Sequence, residues 1–432
     1  ALAAATRSNS SLQCLNLQDN QLEVMAGTKL AEELSAGLQR DLDGLLDAYL
    51  SKATMPRRSV KQRDGPTGSR LVNLNLRHNA LGSLGGAAIL AALQFTRTQL
   101  SELNLAWNGL GMETAAALAG LLGNNSMCRL TKLDLRDNRG LGVGAELPKA
   151  LGGLVAQMAS ASPDDECSKT PRSAGRRSLK RDDQDRITDN QLSAQHLRSL
   201  NLANTGLDSE GALLIAPALA VFSNLEELYL YNNIHLGCAP RTAEQTLASQ
   251  DEWQDRSLKN KKTPLLSASD GICHLTRCLP QCLLKLALGS CSLGAGLGAD
   301  LLQILTSHSM LQDLGLSDND LGDDTAGGEE HLRSAISRFV QCSPCLVSLD
   351  LALNGLGDEC ALSIMSVMQE DKLVKVNFSA NNLSQSFKML LHGVSAVQVA
   401  AADVDAPLSK VAEELAQILQ VSPSMCRYFQ AG

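Results

Sequence analysis

The stretch LSELNLAWNGL, residues 100–110, sets a pattern that the rest of the chain repeats. Counted from Leu100 as position i, apolar residues stand at i, i+3 (Leu103), i+5 (Leu105) and i+10 (Leu110), with Asn108 at i+8. The same offsets recur from Leu12, Leu71, Leu130, Leu197, Leu225, Leu283, Leu311, Leu346 and Leu373, which makes ten copies. Departures are few. Thr205 and Cys291 replace the asparagine in the fifth and seventh copies, and Val376 and Phe378 replace leucines in the tenth. Leu141 and Leu236 fall one place late in the fourth and sixth.

Within a copy, leucines at i+3 and i+5 alternate with polar residues at i+2, i+4 and i+6, the period of a strand with one face buried. An asparagine at i+8 suits a turn, because its amide can satisfy backbone groups that no strand partner reaches. Four pairs of neighbouring copies are 28 to 30 residues apart: Leu71 to Leu100, Leu100 to Leu130, Leu197 to Leu225, Leu283 to Leu311. Each strand is followed by an Ala/Leu-rich stretch of helical length, such as Met112–Leu122, Ser209–Phe222 and Asp358–Gln369. Helices are wider than the spacing between strands, so stacked units of this kind are expected to curve with the strands inside.

The offsets match L-x-x-L-x-L-x-x-[N/C]-x-L, and the chain resembles the leucine-rich repeat proteins, the long unit being similar to the ribonuclease-inhibitor-like subgroup. That resemblance implies an α/β fold, a leucine-rich-repeat solenoid (horseshoe) with a parallel inner sheet and outer helices, over residues 1–397. It also implies a protein-interaction module or scaffold that binds a protein partner on its concave face. Some relatives of this subgroup are GTPase activators for Ran, which is the alternative function. Those activators usually carry a strongly acidic tail, and residues 398–432 are not one. Arg77, Arg136 and Arg139 lie near strand ends, but none matches an activator motif.

Composition is consistent with this. Of 432 residues 44% are apolar and only 3% aromatic, so the core must be built from Leu, Ala, Val and Ile. A net charge of −8 argues against a nucleic-acid partner, which would want a basic face. Twelve cysteines are too few for a disulfide framework, and no apolar run is long enough to span a bilayer. A cytoplasmic protein is expected, with the nucleus as the alternative.

Four spacings exceed the unit. They imply loop insertions near 51–69, 160–190 and 240–269, and a C-terminal region, 398–432, holding a helix and the start of a further, truncated repeat. The first three are polar and carry basic runs around Arg57, Arg176 and Lys259, the composition of solvated loops. Ala1–Ser10 reads like the tail of an earlier helix, and Met425, Tyr428 and Gln430 like the opening of a strand, so a longer chain is expected.

Motifs that carry chemistry are weak. Gly140–Ala145 and Gly294–Ala299 fit G-x-G-x-x-[G/A], but both fall at the strand-to-helix turn, where glycine serves geometry. Cys273, Cys278, Cys282 and Cys291 beside His274 lack metal-site spacing, and Cys342 and Cys345 lack a redox fold around them; packing is the reading of both. No nucleophile, base and orienter assemble, so no enzyme, cofactor or metal is expected. The candidate site is therefore the row of exposed residues at i+2, i+4, i+6 and i+7. In the second to fourth copies these include Arg77, His78, Trp107, Lys132, Asp134, Arg136 and Asp137, and in the sixth Glu227, Tyr229 and Tyr231. Three of the chain's six Trp and Tyr residues stand there, and such side chains dominate binding hot spots. Later copies are smaller, with Ala287, Gly289, Ser290, Gly315 and Ser317.

Overall fold

The computed structural model describes residues 12–34, 71–95, 100–123, 130–142, 196–238, 269–322, 328–368, 374–392, 410–421 and 429–430. Insertions 51–69 and 160–190, nearly all of 240–269, Ala1–Ser10 and Leu373 lie outside them. The chain divides into two compact units, Ala1–Asn201 with Pro217–Leu225, and Leu202–Ala216 with Glu226–Gly432.

Unit one alternates strand and helix: β1 (Cys14–Asn16), α1 (Val24–Leu34), β2 (Asn73–Asn75), α2 (Gly82–Phe95), β3 (Glu102–Asn104), α3 (Met112–Gly123), β4 (Lys132–Asp134) and β5 (Ser199–Asn201). The strands pair in sequence order, all parallel, with equivalent repeat positions opposite each other: Leu15, Leu74, Leu103, Leu133 and Leu200 form one row. Helix α4 (Ser209–Val221) crosses the division at Pro217. Unit two continues with β6 (Glu227–Tyr229), α5 (Ser269–Arg277), β7 (Lys285–Ala287), α6 (Gly294–Leu305), β8 (Asp313–Gly315), α7 (Gly328–Cys342), β9 (Ser348–Asp350), α8 (Asp358–Val367), β10 (Lys375–Asn377), α9 (Gln385–Leu391), α10 (Lys410–Val421) and β11 (Phe429–Gln430). Its strands too are parallel and in sequence order. The fold is an α/β leucine-rich-repeat solenoid.

The core lies between strands and helices. In β2 to β9 the middle residue of each strand, the i+3 leucine, is buried and its two neighbours are not. From the helix side Ile89, Leu90 and Leu93 of α2, and Leu301, Leu302 and Leu305 of α6, are fully buried against it. Each such side chain contributes about 1.5–3 kcal/mol of burial.

Two local devices lie at the ends of these three-residue strands, the first in six repeats and the second in all ten. At i+4, the Oδ1 atoms of Asn16, Asn75, Asn104, Asp134, Asp350 and Asn377 accept a hydrogen bond from the backbone N–H two residues on, at 3.0–3.3 Å. At i+7 all ten repeats then adopt positive φ, from 51° at Asn204 to 65° at Asn232. Positions i+6 and i+7 thus lie beyond the strand, in a turn that the sequence pattern alone assigned to the strand face.

The i+8 asparagines form a ladder across repeats. Asn138 donates from Nδ2 to Leu135 O at 2.8 Å within its own repeat and to Leu105 O at 3.0 Å in the preceding one. Its Oδ1 accepts from the N–H groups of Asn108 and Leu110 at 2.9 and 3.1 Å. The two substitutes keep part of this. Thr205 donates to Leu202 O at 2.8 Å. Cys291 donates to Leu230 O at 3.4 Å or to Gly289 O at 3.5 Å. Burial pushes that thiol up to about 12, so it remains a neutral donor.

At the C-terminal end Met425 and Tyr428 lie outside the described residues, and the register of the last strand differs from the one read in the sequence. Phe429 pairs with Val376 and Gln430 with Asn377, so Phe429 takes the i+3 position expected of Tyr428.

Candidate functional site

In unit one the side chains beyond the buried leucines form rows running across the strands. Along the i+7 turn, His78 contacts the carboxylate of Asp19 and meets the edge of Trp107, with ring centroids 5.9 Å apart and planes at 84°. Trp107 is 47% exposed although it holds φ at 57°, a backbone conformation that a bulky side chain rarely adopts. Hydrogen bonds from Gln18 and His78 hold the Asp19 carboxyl below its usual range.

The charged residues of this face are largely matched within it. Lys132 lies 3.2 Å from Glu102, which also accepts from Asn73. Arg136 lies 3.4 Å from Asp134. Burial raises the Asp134 carboxyl, against the pull of the Arg136 backbone and of Arg136 and Arg77. Asp134 therefore does two structural jobs: it closes β4 through Oδ1 and holds Arg136 through Oδ2. Arg77 is half-buried, its Nε without a hydrogen-bond partner, and Asp137 takes the i+7 turn at φ 58°.

In unit two, Tyr229 donates from its hydroxyl to Glu227 Oε2 at 3.3 Å, and the Lys285 ammonium sits 5.4 Å over its ring. Burial, with Glu227 alongside, pushes the Tyr229 phenol up to about 12, so it stays a donor. Tyr231 stands two residues on and is half-buried like Tyr229. The next strands bring almost no side-chain volume: Ala287 lies opposite Tyr229, and Gly315 opposite Ala287. The structure thus places seven of the ten expected residues on unit one and three on unit two. It adds Asp19, Lys285, Asp313 and Leu353, which the sequence reading did not single out. Lys285 and Asp313 occupy i+2, so the same register counting could have found them. Leu353, 56% exposed at an i+7 turn, breaks the polar habit of that position.

The glycine motifs are explained by packing. A Cβ at Gly140 would lie 2.7 Å from the Leu110 carbonyl oxygen, and Gly294 has φ 67°. The rest of the first motif, 143–145, lies outside the described residues. Among the described residues no group of three or more His, Cys, Asp or Glu could hold a metal ion, and no helix is long and apolar enough to cross a membrane. His274 and Cys278 approach to 4.0 Å, while Cys273 and Cys291 are buried separately.

No curated protein matches the chain. Among solved structures it is similar to the leucine-rich repeat-containing protein LegL7 from Legionella pneumophila. That similarity has 14% identity and a TM-score of 0.42, over 93% of this chain and 94% of that one. The family model for the leucine-rich repeat matches residues 8–31, 193–216 and 342–365. These windows open four residues ahead of Leu12, Leu197 and Leu346, the first leucines of the first, fifth and ninth repeats, so they reproduce the register read from the sequence and observed in the strands. With that unit recurring through both halves of the chain, the protein is a leucine-rich repeat protein.

Proposed function

We propose that this chain is a non-enzymatic module, of the ribonuclease-inhibitor-like kind, which binds a protein partner across its open strand faces. The observation that carries the reading is the placement of the aromatics. The chain has two Trp and four Tyr, and Trp107, Tyr229 and Tyr231 all stand outside the core on the strand side of their units. Aromatic side chains offer large contact area for little entropy loss, and fully buried ones in an interface account for about 2 kcal/mol or more each. Residence in the cytoplasm, or the nucleus, belongs to the same proposal, as do a partner that is neither nucleic acid nor membrane and the need for no cofactor.

The test is affinity capture from lysate with the wild type beside the Tyr229→Ala/Tyr231→Ala variant, read by mass spectrometry and accompanied by a thermal melt. A partner lost from the variant, with the melt unchanged, is the expected result. Identical partners for both proteins would move binding to the helices or the insertions. Unfolding of the variant would mean that the tyrosines are core residues and the face is wrongly assigned.

A further inference from the structure

We propose that the strand face of unit two docks a basic polypeptide segment, one rich in arginine and lysine, of the protein partner. The inference rests on the reading of that face as the binding surface and names the chemistry it takes.

The face has the form of a trough. Tyr229 and Tyr231 stand along one side. Next come Ala287 and Gly289, then Gly315 and Ser317, which together give a floor of small side chains. Asp350 follows, in register with Gly315. Three strand spacings of about 4.8 Å separate Tyr229 from Asp350, so the trough is about 14 Å across, wide enough for an extended chain and its side chains.

Its charge is one-sided. Glu227, Asp313, Asp318 and Asp350 face a single ammonium, Lys285, over the sixth to ninth repeats. Asp313, Asp318 and Asp350 form no ion pair among the described residues. Asp318 accepts only from the Ser290 hydroxyl at 2.7 Å, and Asp350 accepts from the Ala352 N–H and the Asn377 amide. Unit one is different, since there Glu102 has Lys132 and Asp134 has Arg136. A face on which Asp313, Asp318 and Asp350 lack counter-charges among the described residues, walled by aromatic rings, complements a cationic segment.

The protein already shows how a cation sits here. The Lys285 ammonium occupies the Tyr229 ring face at 5.4 Å, whereas Tyr231 carries no such cation among the described residues. An incoming arginine can stack on Tyr231 while reaching the carboxylates of the floor, a geometry suited to its planar guanidinium.

The experiment uses the full chain and a fluorescein-labelled peptide of alternating arginine and glycine, followed by fluorescence anisotropy at about 150 mM salt, where distant charges are screened. The Asp313→Asn/Asp350→Asn variant is expected to bind about tenfold more weakly, equivalent to about 1.4 kcal/mol. Asn is the residue other repeats hold at i+4, as at Asn75 and Asn104, so the strand-closing bond to Ala352 is kept. The control, Glu210→Gln/Asp300→Asn, removes the same charge from exposed positions on α4 and α6 and is expected to change affinity by less than about twofold. Asp318→Asn is the second variant should the first shift the thermal melt. Equal weakening by the control, or no binding by the wild type, overturns the inference. If Tyr229→Ala/Tyr231→Ala loses the captured protein while Asp313→Asn/Asp350→Asn retains both protein and peptide, the basic occupant is wrong and the binding face stands. If neither variant loses the captured protein, the face itself fails.

Discussion

Asn319 offers the most demanding test of the asparagine ladder. Its side chain is fully buried. Nδ2 donates to Leu288 O at 2.8 Å, to Leu316 O at 2.9 Å and to Ser317 O at 3.2 Å, and Oδ1 accepts from the Cys291 N–H at 2.9 Å. Asn319→Ala leaves the Cys291 N–H and the two leucine carbonyls without that partner, in a place that water does not reach. At a net value of about 1–1.5 kcal/mol for each of these three bonds, the cost is about 3–4.5 kcal/mol, comparable to deleting a core leucine. Asn319→Cys is expected to cost less than half of that. Cys291 demonstrates the reason one repeat earlier, where a thiol at this position donates to the i+5 carbonyl of the preceding repeat. The assay is urea unfolding followed by circular dichroism, with hydrogen exchange at the Cys291 amide reporting the ladder locally. Equal costs for alanine and cysteine, or a cost below about 1 kcal/mol for alanine, would refute the claim that these bonds hold neighbouring repeats together.

Other consequences follow from the same geometry. Trp107→Asn places at φ 57° a residue type that tolerates it, as Asn204 and Asn232 do at their own i+7 turns. Stability is expected to hold, or to rise by up to about 1 kcal/mol, while partner capture weakens; a clear fall in melting temperature would show that the indole is structural. His308 is buried three residues beyond α6 with its Nδ1 unpartnered, and burial lowers its pKa below the usual 6.5. Below that value the unfolded chain takes up the proton more readily than the folded one, so stability is full above about pH 6.5 and falls as the pH drops through the window beneath it. Urea midpoints measured from neutral to mildly acidic pH should decline less in His308→Gln than in the wild type, and parallel curves would dismiss His308 as the source.

The residues that were legible are those whose role repeats. Leu103, Leu105, Asn108 and Leu110 are fixed relative to one another by a local period, so counting along the chain is enough to place them inside. The C-terminal strand was misjudged because Met425, Tyr428 and Phe429 are compatible with two registers one residue apart, and pairing with Val376 decides between them. The i+7 turn was missed because positive φ has no apolar signature. Six of its ten residues are Asp, Asn or Ser, which hints at a turn, but Trp107, His78, Leu353 and Ala380 obscure the habit.

The sequence by itself determined the repeat and the residues that fill the core, since hydrophobic periodicity is encoded within each unit. The tertiary structure decided which polar residues remain available. Asp19 meets His78 across 59 positions, Glu102 meets Lys132 in the next repeat, and Lys285 reaches Tyr229 one insertion away. Those meetings depend on strand register and on turns at each i+7, and they separate the neutralised face of unit one from the open carboxylates of unit two. Charge pairing acts through space between repeats, and no count along one repeat contains it.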